Sequence, residues 1–68
     1  MTIYFQHATK ENKKLGVWYS YQYLVPNVGD YVELKNEQNT FTTYKIIKRI
    51  FNENNHITMH VIGIDGYI

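Results

Sequence analysis

Three side chains in this sequence, His7, His56 and His60, have the donor chemistry for a metal ion, but their spacing argues against one. On a strand, His56 and His60 would share a face about 13 Å apart, whereas one ion holds its ligands at about 2 Å. A site would need His7 to arrive from another strand, and the plainer reading makes all three surface or rim histidines. Neither a metal nor a cofactor is expected. Nucleophiles are equally scarce: there is no cysteine, and Ser20 is the single serine, in mid-strand with no base predicted beside it. The carboxylates Asp30, Glu33 and Asp65 suit turns or solvated strand faces better than a paired acid and base. These residues predict a protein that binds rather than catalyses.

The richest binding chemistry lies in Val17-Trp18-Tyr19-Ser20-Tyr21-Gln22-Tyr23-Leu24-Val25. Odd positions carry Val, Tyr, Tyr, Tyr and Val, so a strand here has one face that is almost wholly aromatic. If that face is the core, the rings are packing and Trp18 and Leu24 lie outside. If Trp18 and Leu24 are the core, the tyrosines form an exposed platform able to meet a protein or unstacked bases. Trp18, Tyr19, Tyr21, Tyr23 and Tyr31 are therefore the candidate partner-binding residues. Lys45, Lys48 and Arg49, with Lys10, Lys13 and Lys14 from an earlier loop, could add a basic strip for phosphates. The plainer reading is scattered solubilising charge, in keeping with a formal net charge of +1.

The elements that position these residues follow from composition and punctuation. A chain of 68 residues has room for one domain, spanning 1–68. It buries only about 60% of its unfolded surface, and with no disulfide available, self-association becomes an expected source of extra stability. Seven tyrosines and seven asparagines favour strands and tight turns respectively. Five stretches rich in β-branched and aromatic residues predict strands near 2–8, 17–25, 30–35, 40–52 and 56–64.

Residues 9–16 read as a polar loop closing on Gly16, with no apolar stripe for a helix. Pro26 ends the second strand, and Asn27-Val28-Gly29 turns the chain. Val32 and Leu34 face inward, as do Ile57, Met59 and Val61. The fourth strand is too long to stay flat, and a bend or bulge near Ile46-Ile47 would bury both Tyr44 and Ile46 and also Ile47 and Phe51. Gly63 is expected to switch the alternation, and the tail after Asp65-Gly66 is too short for a sixth strand. The opening residues lack the pattern of a secretory signal, and no run approaches a membrane span, which leads to an expected cytoplasmic location.

The stretch Val25-Pro26-Asn27-Val28-Gly29-Asp30-Tyr31-Val32, followed by Tyr44-Lys45-Ile46-Ile47-Lys48-Arg49-Ile50-Phe51, resembles the opening hairpin of small SH3-like β proteins of bacterial phages and mobile elements. The resemblance covers about half the chain and its motifs are structural. It implies a single five-stranded antiparallel SH3-like barrel or roll and a setting in the host cytoplasm. The functional expectation is a small binding protein that engages and inhibits a host protein, such as a defence factor, through its tyrosine-rich surface. The alternative is a module for single-stranded nucleic acid, using tyrosine stacking and the Lys45, Lys48 and Arg49 strip. A sponge for a small nucleotide signal is a third option.

Overall fold

Alternating apolar and polar residues translate directly into alternating burial. The structure is a computed structural model that describes residues 1–11, 13–19 and 25–64. It contains β1 (Thr2–His7), β2 (Lys14–Tyr19), β3 (Tyr31–Lys35), β4 (Phe41–Asn52) and β5 (His56–Gly63), with no helix among the described residues. These strands form one sheet in the order β2-β1-β5-β4-β3. It curls into a half-barrel compatible with a small SH3-like barrel. The concave side holds the core: Ile3 and Phe5, Val32 and Leu34, Tyr44 and Ile46, and Ile57, Met59 and Val61. Burial of each such side chain is worth about 1.5–3 kcal/mol, and β2 adds the half-buried Leu15 and the ring of Trp18 against Phe5.

The sheet is mixed, which corrects the all-antiparallel expectation. β1 and β5 pair in parallel, from Thr2 beside His56 to His7 beside Val61, while the other three ladders are antiparallel. Hairpins join only neighbours in sequence, whereas a parallel pair needs a long crossover, here supplied by the three intervening strands. The two pairing edges left over, β2 and β3, approach each other without a ladder between them. A methyl group placed on Gly16 would lie 3.9 Å from Leu34 Cδ2, so side chains close that seam.

Two bulges shape the half-barrel. In β4 the pairing slips between Ile46, opposite Val61, and Lys48, opposite His60, which leaves Ile47 as the extra residue where a bend was expected. Ile47 and Phe51 nevertheless stay exposed, contrary to expectation: Ile47 is the unpaired bulge residue, and Phe51 lies near the end of β4 under the Arg49 guanidinium. In the β1–β2 ladder Phe5 faces Gly16 and Gln6 faces Lys14, so Leu15 is the extra residue. β2 thus begins at Lys14, before the expected residue 17. Backbone pairing extends it through polar residues, since His7 N–H donates to the Lys13 carbonyl at 2.8 Å. Gly63 causes no slip, and β5 alternates without interruption to its end.

Both short hairpins use the same chemistry. Asn36-Glu37-Gln38-Asn39 and Asn52-Glu53-Asn54-Asn55 each open on an asparagine whose Oδ1 accepts the N–H two residues later, at 3.0 and 2.7 Å. Each closes on an asparagine in the left-handed region, with φ 66° at Asn39 and 65° at Asn55. That conformation suits asparagine among the non-glycine residues. At the third turn, Asp30 Oδ2 accepts Asn27 N–H at 2.7 Å and Gly29 takes φ 96°, so Asp30 serves the turn.

Candidate protein-binding face

Residues paired across a ladder point to the same side of the sheet. The pairings Val17 with Tyr4, Tyr4 with Thr58, and Thr58 with Ile50 therefore place four side chains in one row across β2, β1, β5 and β4. The row lies on the convex side and spans about 14 Å at the usual strand spacing. Val17 and Ile50 are each 42% exposed, and Tyr4 is half-buried with its ring edge to face against His56, centroids 5.3 Å apart.

More polar rows flank this one. On one side run Tyr19, Thr2, His56 and Asn52, and on the other Lys14, Gln6, His60 and Lys48. The central row thus carries the aliphatic side chains Val17 and Ile50 with Tyr4 and Thr58 between them, and the margins add amides, imidazoles and ammonium groups.

The structure separates several residues that the sequence grouped. Trp18 lies opposite Ile3, on the core side, with its ring edge to face against Phe5 at 4.8 Å. Tyr19 points the other way and is 83% exposed. Tyr21 and Tyr23, with Ser20 and Leu24, lie outside the described residues, as do Asp65 and the tail after it. Tyr31 is exposed and opposite Lys45, but it sits on β3, the far edge of the sheet from β2. Through Lys45 it falls level with Ile62, whereas Tyr19 falls level with His56 through Thr2. That offset along β5 is about 20 Å, so Tyr19 and Tyr31 do not form one platform.

The bulge at Ile47 puts Lys48 on the same side as Lys45, and ordinary alternation turns Arg49 away from both. Lys45 and Lys48 point to the convex side, paired with Ile62 and His60. Arg49, paired with Met59, points to the concave side. There it donates to the Pro26 carbonyl and Asn27 Oδ1 and lies 4.8 Å from the centroid of the Phe51 ring.

His7 is not a surface or rim histidine: it is 2% exposed and continues the inward series of Ile3 and Phe5. Its Nδ1 accepts the Thr9 N–H, and its ring meets Tyr44 edge to face. Among the described residues, no three His, Cys, Asp or Glu side chains converge as metal ligands.

The central row escaped the sequence reading because it needs the parallel β1–β5 pairing. Tyr4 and Thr58 are 54 positions apart, and nothing local in either strand announces that they meet. The period-two pattern did carry one usable signal, placing Val17 and Tyr19 on a common face. No family model, curated protein or solved structure matches the chain.

Proposed function

We propose that the chain is a non-catalytic protein-binding domain whose convex face seats against an apolar patch on a partner protein. The observation that carries this reading is the row Val17, Tyr4, Thr58 and Ile50 between two polar margins. Exposed aliphatic side chains beside a tyrosine, inside a polar rim, suit a protein interface, and the tyrosine offers contact area at little entropic cost. Tyr19, at one corner of the face, extends it. The reading of the partner as a host factor held in an inhibited state rests only on the setting that the SH3-like resemblance implies, since the resemblance carries no activity.

Nucleic acid is the less supported partner. A single-strand binder tracks phosphates with a continuous set of cations beside its aromatic side chains. Arg49 is instead turned to the other side and engaged with Pro26 and Asn27.

The test compares the wild-type chain with a Val17→Glu/Ile50→Glu variant in affinity purification from host extract. The expected outcome is one stoichiometric protein retained by the wild type and lost by the variant, with the circular-dichroism spectrum and thermal unfolding of the two chains alike. Equal retention by both, or recovery of nucleic acid alone, would refute the reading. Light scattering on the purified chain identifies the case in which the occupant is a second copy.

A further inference from the structure

The seam between β2 and β3 opens at one end into a cleft of about 280 Å³. One lip is Lys13, Lys14 and Leu15, and the other runs from Leu34 and Lys35 to Glu37 and Gln38. Leu34 and Tyr44, both buried, form its base. We infer that this cleft binds a small phosphate monoester, with the phosphate held among Lys13, Lys14 and Lys35 and the organic group set against Leu15, Leu34 and Tyr44.

Charge is the first argument. Three ammonium groups against the single carboxylate of Glu37 leave a formal +2 in the cleft, while the whole chain carries only +1. Cations of one sign around an apolar base focus the field at the opening. A phosphate monoester near neutral pH carries a charge approaching −2, which complements the cleft.

Preorganisation is the second. The first lip is held by the Lys13 N–H donating to the Lys10 carbonyl at 2.9 Å and by the Lys13 carbonyl accepting from His7. The second is held by Asn36, whose Oδ1 accepts the N–H groups of Gln38 and Thr40 while its Nδ2 donates to Thr40 and Thr42 hydroxyls. The backbone of neither lip has to be ordered when a ligand arrives, which removes part of the cost of binding and leaves only the exposed lysine side chains to be fixed. Size is the third: at about 280 Å³ the cleft is just under the roughly 300 Å³ at which pockets for drug-sized ligands begin, so its occupant is a very small molecule.

The test is a titration of the isotopically labelled chain with phenyl phosphate and, separately, inorganic phosphate, followed by amide chemical shifts. Saturable shifts confined to 13–15 and 34–38 are expected, with a dissociation constant of about 1 mM. Phenyl phosphate should bind about fourfold more tightly than the free ion if the apolar base is used, and equal affinity would assign the cleft to free phosphate. A Lys13→Gln/Lys35→Gln variant with an otherwise unchanged spectrum should weaken binding about tenfold. The Val17→Glu/Ile50→Glu variant should bind phenyl phosphate as the wild type does, which separates this inference from the convex-face reading. No saturable shift up to about 20 mM, far above the expected constant, or shifts spread equally over Lys45 and Lys48, would overturn it.

Discussion

Arg49 Nη1 donates to Asn27 Oδ1 at 2.7 Å and to the Pro26 carbonyl at 3.1 Å, which ties the far half of β4 to the turn that leads into β3. The contact joins residues 22 apart in sequence and also lays the guanidinium over Phe51. Charge-assisted bonds at such a half-exposed site contribute about 1 kcal/mol. Arg49→Ala should therefore lower stability in urea by about that amount, and Arg49→Lys should recover less than half of it, since an ammonium lacks the planar stacking surface. An unchanged unfolding midpoint for Arg49→Ala would show that the contact contributes nothing.

Trp18 is the single tryptophan, and its contact with Phe5 makes its fluorescence a reporter of the core. Phe5→Leu removes the aromatic partner and leaves unfilled volume, at an expected cost of about 1–2 kcal/mol. The check is chemical unfolding followed by tryptophan emission, with a native spectrum shifted toward longer wavelength in the variant. Wild-type emission and stability together would contradict the contact.

The turns can be tuned in opposite directions. Asn39→Val or Asn55→Val should each cost about 1–2 kcal/mol, because a β-branched residue is poorly accommodated at positive φ. Glu11 has φ 49° without the asparagine chemistry of the other turns, so Glu11→Gly should stabilise the chain. A gain of about 0.5–1 kcal/mol would raise the melting temperature by several degrees in a domain of this size. Thermal unfolding of the three variants gives the comparison, and a melting temperature for Glu11→Gly below that of the wild type would reverse the assignment.

At His7, the Thr9 N–H at 3.2 Å from Nδ1 requires that nitrogen to accept. The neutral ring must then carry its proton on Nε2, which is buried without a partner among the described residues. Long-range proton–nitrogen NMR correlations should show this tautomer for His7. A proton on Nδ1 would contradict the packing around β1.

Period-two patterning was sufficient for the features that are local. Val32 and Leu34, and Ile57, Met59 and Val61, point inward as their spacing predicts, and the length of β4 was enough to place its bulge. The phase beyond that bulge was not readable, because one extra residue decides whether Lys48 or Arg49 shares the face of Lys45. Trp18 and Tyr19 were ambiguous for a different reason: both faces of that segment are aromatic, and hydrophobicity cannot choose between them. His7 shows the reverse case, in which the alternation of Ile3 and Phe5 pointed inward and the polarity of imidazole outweighed it.

The parallel ladder between β1 and β5 also has a consequence for how the chain is made. During synthesis, residues 2–7 leave the ribosome long before 56–61, the only segment that can lie alongside them in that ladder. β5 occupies the middle of the sheet with β1 beside it, so the nascent chain cannot complete its interior until β5 has emerged. Contacts between such distant parts of a chain slow folding relative to a simple meander. Closure of the core therefore waits on β5, and the apolar side of β1 is the surface that chaperones would meet in the interval.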